Sequence, residues 1–177
     1  MNLSPFFIPT DNVPLPLAYM DPMTGIKNRS AYNEYMQECE EMIKSPNKKL
    51  VFIYMDVNDL KCVNDTLGHE KGDEMLVDTA SLIRGAFGDF STFRIGGDEF
   101  VAILQDEEAE REEKLIKRFK GDIQMHNSQN HSYGRLSIAI GVSIYHDGDS
   151  LDDLFTRADE KMYSDKRKYK NARYSDY

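Results

Sequence analysis

The stretch Leu50-Val51-Phe52-Ile53-Tyr54-Met55-Asp56-Val57 decides how the rest of the chain is read. Its apolar run lacks the alternation of a half-exposed strand, is too short for a helix of its own and is bounded by turn residues. It therefore predicts a β-strand buried on both faces. The run ends at Asp56, where an unpaired carboxylate is costly unless hydrogen bonds or a cation compensate it. Upstream, Tyr32, Tyr35, Met36, Cys39, Met42 and Ile43 recur at helical spacing from Ser30 and stop before Pro46 and Asn47-Lys48-Lys49, which predicts a first helix. Downstream, Met75, Leu76, Thr79, Leu82, Ile83 and Phe87 mark a second helical region. Ser91 to Ile95, the turn Gly96-Gly97-Asp98-Glu99, and Phe100 to Leu104 then read as a hairpin. A charged helix over roughly Glu107 to Met125 follows, with Leu115, Ile116, Phe119 and Ile123 on one stripe. A strand over Arg135 to Tyr145 and a last helix from about Asp152 complete the pattern. The order βαββαβ with flanking helices predicts an α+β fold of the ferredoxin-like or palm kind: an antiparallel central sheet with helices packed against one face.

Composition agrees with one globular domain. The chain has 177 residues, 40% of them hydrophobic and 30% charged, enough apolar surface for a core and too much for global disorder. With 22 Lys plus Arg against 31 Asp plus Glu, the net charge is −9. Such a chain has no field that draws it to nucleic acid or an anionic membrane, so a nucleotide has to be held by a local site. Its two cysteines, Cys39 and Cys62, are too few for a disulfide framework or a cysteine-based zinc site, and both read as core filler in a reducing, cytoplasmic compartment. No Lys or Arg precedes Lys27 and Leu50 to Met55 is too short to cross a bilayer, so neither a signal peptide nor a membrane contact is expected. Five of the six prolines fall in the first 22 residues. Residues 1–20 are therefore expected to form an extended leader or linker, continuing from an upstream sensor if the chain is a fragment, with the domain at 21–177.

Two acidic features carry chemistry. Asp56 ends the buried strand, and Asp98 with Glu99 sits at the hairpin tip, where two glycines let backbone approach a ligand closely. If the hairpin neighbours the Leu50 strand the carboxylates converge, and convergent oxygens suit Mg²⁺. Taken singly, each feature is an ordinary turn or a strand-end cap. A calcium loop starting at Asp56 is excluded, because Lys61 stands where that loop needs glycine and Leu67 where it needs a bidentate Glu.

Longer motifs give a more specific reading. Asp21-Pro22-Met23-Thr24-Gly25-Ile26-Lys27-Asn28-Arg29, the segment from Asp56 to Asp73 with its Lys61, Asn64-Asp65, Gly68-His69 and Gly72-Asp73, and Gly96-Gly97-Asp98-Glu99-Phe100 occur in order. Together they resemble GGDEF domains, the diguanylate cyclases. The resemblance runs from Asp21 to about Asn171 and includes Ser137 to Val142 and Ala158 to Tyr163. It implies condensation of two GTP molecules into cyclic di-GMP, each 3′-hydroxyl attacking the α-phosphate of the other nucleotide with loss of pyrophosphate. Because each such domain holds one GTP, it also implies a second protomer facing the first in a homodimer.

By the same resemblance Asp56, the Val57 carbonyl and Asp98 hold Mg²⁺ or Mn²⁺, typically two ions per site, against the triphosphate. Asp98 or Glu99 helps deprotonate the hydroxyl, Lys61 stabilises transition-state charge, and backbone N–H groups near Asp59 and Leu60 cradle phosphate. Asn64 and Asp73 read the base, with His69 beside them. A carboxylate accepts from guanine N1–H and its 2-amino group, whereas adenine leaves it unpaired at a cost of roughly 1 to 3 kcal/mol. Without the motif, Asp73 would be a capping residue in the first turn of the Met75 helix. Lys166 and Lys170, at i and i+4 on the last helix, match the grip on the terminal phosphates, while Arg167 and Lys168 read as solvated. Asn58 stands where the family usually has Asp, Leu60 where it has Phe, Tyr169 where glycine is common and Lys170 where Arg is expected. The inhibitory Arg-x-x-Asp register holds Phe87, Gly88, Asp89 and Phe90, so product feedback through it is not expected. Two functions remain open: an active diguanylate cyclase, or a noncatalytic GGDEF module that binds GTP or acts in regulation or dimerisation.

Overall fold

The structure is a computed structural model that describes residues 17–45, 47–89 and 91–174. Most of the expected leader, residues 1–16, lies outside the described residues. Its last part is not extended: Leu17–Tyr19 forms a 3₁₀ turn, and Met20 bridges to Lys27. The elements in order are α1 (Arg29–Met42), β1 (Leu50–Val57), α2 (Leu60–Leu67), α3 (His69–Phe87), β2 (Thr92–Arg94), β3 (Glu99–Gln105), α4 (Asp106–Ala109), α5 (Glu112–His126), β4 (Ile138–Ile144) and α6 (Leu151–Tyr174). The strands form one antiparallel sheet in the order β2-β3-β1-β4, the ferredoxin-like arrangement expected from the sequence.

The expectation of helices on one face is corrected. The sheet is a middle layer, and β1 shows why. Val51, Ile53, Met55 and Val57 join a cluster with Met75 and Ile83 of α3 and Phe119 of α5. The alternate residues Leu50, Phe52 and Tyr54 join a second cluster with Cys39 of α1 and Leu154, Ala158 and Met162 of α6. A strand with a period of two can be apolar at every position only if both faces are covered, each buried large side chain contributing about 1.5 to 3 kcal/mol. Phe52 is held edge-on between Tyr32, at 6.4 Å, and Phe155, at 5.9 Å.

Element limits differ where exposed residues set them. α2 was not expected, and α3 begins at His69, so Asp73 lies inside the helix rather than at its cap. Gly68, at φ +89°, makes the corner between the two helices, a left-handed conformation that a side chain would strain. The expected helix over Glu107 to Met125 is two, α4 and α5, because Ala109 is drawn into the core at the break. Strand β4 starts later than Arg135, since Leu136 is instead clamped through its N–H and C=O to the Asn127 side chain, both at 2.7 Å. Of the two cysteines only Cys39 is core filler; Cys62 is exposed on α2.

Helix α6 lies directly on β4. A Cβ placed on Gly141 would stand 1.9 Å from the Ala158 carbonyl oxygen, so the close approach requires glycine. Side chains of α6 also occupy the free edge of β4: Asp165 Oδ2 accepts from the Ile140 N–H at 3.0 Å, Lys161 donates to the Val142 carbonyl at 2.7 Å, and Arg157 donates to the Ile144 carbonyl at 3.0 Å. These bonds satisfy an edge that would otherwise be open to pairing with another chain. Among the described residues no helix is long and apolar enough to cross a membrane.

Candidate functional site

The register of β1 against β3 brings the two acidic features together. Asp56 pairs with Glu99, and the Val57 N–H donates to the Asp98 carbonyl at 3.0 Å. The hairpin tip thus lies against the end of the buried strand. Asp56 is 6% exposed, and Lys166 Nζ reaches its Oδ1 at 2.6 Å from α6. Burial pushes the Asp56 carboxyl above its ordinary value and the hydrogen bond from Lys166 pulls it back, while the charges of Asp98 and Glu99 push it up again; the net direction is up. One ammonium therefore faces a surplus of negative charge, and the donors are all hard oxygens. That set fits Mg²⁺ or Mn²⁺.

The two glycines of the hairpin have different tasks. A Cβ on Gly96 would lie 2.2 Å from Glu99 Oε2, so Gly96 makes room for the Glu99 side chain, which also accepts from the Tyr54 hydroxyl at 2.8 Å. At Gly97 a Cβ would meet nothing within 4 Å, which leaves that backbone open to close approach. The hairpin is anchored from a part of the chain whose contribution sequence reasoning did not find. Arg94 donates to the Gly97 carbonyl at 2.7 Å and to Asp21 Oδ1 at 3.1 Å, and Asp21 also accepts from the Thr24 N–H and hydroxyl. Burial alone would push Asp21 up, but the bonds from Thr24 and Arg94 outweigh it and hold the carboxyl below its ordinary value. The Asp21 to Gly25 motif is thus a tight turn that supports the base of the acidic hairpin.

After β1 the chain turns at Asp59, which sits at φ 62° and precedes α2 without capping it through its side chain. That carboxylate is engaged elsewhere: Oδ2 accepts from the Tyr169 hydroxyl at 2.7 Å and from the Arg173 guanidinium. The Asp59 carboxylate thus caps no first-turn N–H of α2, although the Val63 N–H donates to the Asp59 carbonyl at 3.0 Å. Asn58 is buried and turned aside, its N–H donating to the Ser137 carbonyl at 2.9 Å and its Nδ2 to Ser137 Oγ at 3.0 Å. Leu60 is half-buried against the core, and Lys61 is exposed.

Helices α2 and α3 bring Asn64 against the turn of α3 that carries Asp73. Asn64 lies over Gly72, where a Cβ would be 1.9 Å from Asn64 Oδ1, and Asp73 is the next residue. That Asn64 oxygen is buried with no hydrogen-bond partner among the described residues. Asp73 is exposed and lines a cleft of about 500 Å³ with Glu70, Asp78, His131 and Tyr133. His69 is exposed at the start of α3. On α6 the face turned to the site is Lys166, Tyr169 and Arg173, whereas Lys170 is exposed. Arg173 escaped the sequence reading although it lies two helical turns beyond Lys166.

A ferredoxin-like sheet whose central strand carries a buried carboxylate beside an acidic Gly-Gly hairpin defines an α+β domain with acidic groups gathered at one end of the sheet. Comparison with known proteins names the family. A family model described as diguanylate cyclase, GGDEF domain, matches residues 18–172, and the chain belongs to the GGDEF domain family. It is 31% identical over 162 residues to the bifunctional diguanylate cyclase/cyclic di-GMP phosphodiesterase MucR of Pseudomonas aeruginosa, covering 88% of this chain and 23% of that protein. It is 30% identical over 155 residues to the probable diguanylate cyclase DgcJ of Escherichia coli, covering 86% and 30%. The chain thus spans less than a third of the length of these relatives. Among solved structures, the GGDEF domain of DgcB from Caulobacter crescentus in complex with c-di-GMP superposes with a TM-score of 0.73 at 26% identity, covering 85% of this chain and 91% of that one.

Proposed function

We propose that this chain is a metal-dependent diguanylate cyclase that condenses two GTP into cyclic di-GMP, one nucleotide on each of two facing copies. The reading rests chiefly on one observation: β1 and β3 seat the buried Asp56 beside the Asp98-Glu99 tip, with a negative surplus that Lys166 only partly offsets. Asp56, the Val57 carbonyl and Asp98 would hold Mg²⁺ or Mn²⁺, which when bound neutralises charge on the phosphoryl oxygens. The chain's own groups do the rest. The first turn of α2 presents N–H groups to phosphate, and Lys61 beside them supplies positive charge. Lys166 exchanges its bond with Asp56 for a terminal phosphate, with Lys170 further along the helix, and Asp98 or Glu99 receives the proton of the attacking hydroxyl. Asn64 and Asp73 select guanine, His69 being adjacent.

One observation favours a noncatalytic, nucleotide-binding module instead: Lys166 already occupies Asp56 Oδ1, and Asn58 adds no charge where the family usually has Asp. Incubation of concentrated or artificially dimerised protein with GTP and Mg²⁺, followed by chromatography, separates the two. The expected result is cyclic di-GMP, abolished by Asp98→Ala. No cyclic dinucleotide under these conditions would refute the enzyme reading, and equal use of ATP would refute the base assignment.

A further inference from the structure

In the cleft that Asp73 also lines, away from Asp56, three side chains from two distant parts of the chain converge beside α3. Asp78 of α3, His126 at the end of α5 and His131 in the following turn have ligand atoms all within 4.8 Å of one another, and each is half-buried. Among the described residues they are the one such group of three. Asp78 Oδ2 lies 3.7 Å from His126 Nε2 and 3.9 Å from His131 Nδ1. The histidine rings stack at 3.7 Å with 12° between their planes.

The arrangement leaves room for a cation between ring and carboxylate. His131 Nε2 lies 2.8 Å from the His126 carbonyl oxygen, which can only accept, so the ring's proton is on Nε2. In a neutral ring this leaves the Nδ1 lone pair facing the Asp78 carboxylate, acceptor against acceptor. A second proton on Nδ1 or a metal ion between them removes the conflict, and a ligating histidine whose other nitrogen donates to a backbone carbonyl is the usual outer-shell arrangement of metal sites. The His-x₄-His spacing falls within the range seen for zinc ligands. The turn is also held in shape: Gly134 N–H donates to the His131 carbonyl at 3.1 Å, and Asn127 clamps Leu136.

We propose that Asp78, His126 and His131 form a second metal site, distinct from the Asp56 pocket, for a transition-metal dication that favours mixed nitrogen and oxygen ligands, Zn²⁺ first. Tyr133, whose hydroxyl spans Asp78 at 2.6 Å and His126 at 2.5 Å, or a water in its place completes a four-coordinate shell. An ion here ties α3 to the turn that leads into Ser137.

The test uses tag-free full-length chain, loaded with ZnCl₂ and dialysed into metal-free buffer, with zinc counted by mass spectrometry. One zinc per chain and a melting temperature raised by about 5 °C are expected. His131→Gln removes both effects, whereas Asp98→Ala and His146→Ala keep them. Zinc retained in His131→Gln, zinc lost in Asp98→Ala, or no zinc bound by the unsubstituted chain would each overturn the proposal. Where His131→Gln does not fold, X-ray absorption of the zinc-loaded unsubstituted protein decides. Two imidazoles with oxygen support the site, and an all-oxygen shell overturns it.

Discussion

The two halves of α6 carry similar side chains to different ends. Up to just past its middle, Arg157, Lys161 and Asp165 recur every four residues and place polar atoms on the edge of β4, with Gly141 letting the helix down onto the strand. In the second half, Lys166, Tyr169 and Arg173 reach across to Asp56 and Asp59, more than 100 residues away in sequence. Apart from the Arg157–Asp149 pair, the first half meets neutral groups of an edge strand; the second meets the part-exposed Asp59 and the buried Asp56, a carboxylate that a domain built only for stability would not bury. A basic helix is thus informative about function only through what it faces. Gly141→Ala tests the seat itself. Its Cβ would stand 1.9 Å from the Ala158 oxygen and 2.4 Å from the Met162 nitrogen, both backbone. The helix must shift, at about 3 kcal/mol, and thermal melting should fall by roughly 10 °C. An unchanged melt would mean that α6 is not seated as described and that neither half has the role assigned to it.

Lys166→Met separates the halves more sharply, because its effects should run in opposite directions. Turnover of GTP should drop about 100-fold as a cation is lost from the phosphates. Binding of Mg²⁺ without nucleotide should tighten, since Asp56, already pushed up by burial and by Asp98 and Glu99, loses the ammonium that competes for it. The variant should melt lower than the parent in metal-free buffer and recover when Mg²⁺ is added. A parallel loss of turnover and of metal binding would make Lys166 a prop for the pocket, like the residues of the first half.

Sequence reasoning reached the parts of this comparison that depend on strands. An apolar run with one terminal carboxylate, followed by a Gly-Gly-Asp-Glu turn, is enough to expect Asp56 beside the acidic hairpin tip, and the register pairs Asp56 with Glu99, next to Asp98. It did not reach the helix faces. Lys166 and Lys170 share a stripe, but which stripe meets the site depends on how Gly141 seats α6, and that fact is held by β4. α2 was missed because it is only eight residues long, although Leu60, Val63 and Leu67 recur at helical spacing. The support of the hairpin by Asp21 and Arg94, and the grouping of Asp78 with two histidines, are products of the tertiary structure. The His-x₄-His spacing was visible, but its third member lies on a different helix.

The smallest effect belongs to the first half of α6. Arg157 Nη2 donates to Asp149 Oδ2 at 2.6 Å, and this bond first, then the His146 N–H, holds the Asp149 carboxyl down at about 2 from its ordinary 3.8. A lowered carboxyl favours the folded state wherever it is ionised in both states, so its contribution is present above 3.8 and disappears as pH falls toward about 2. The pair is near the surface, where solvent screens it. Arg157→Gln should therefore lower the neutral-pH melting temperature by only about 2 °C. The gap to the parent should stay constant above pH 5, narrow below pH 4 and close near pH 2, while GTP turnover changes less than twofold. A loss of turnover approaching that of Lys166→Met would show that the edge clamps hold the rear of the helix over Asp56, and the division between the two halves would fail.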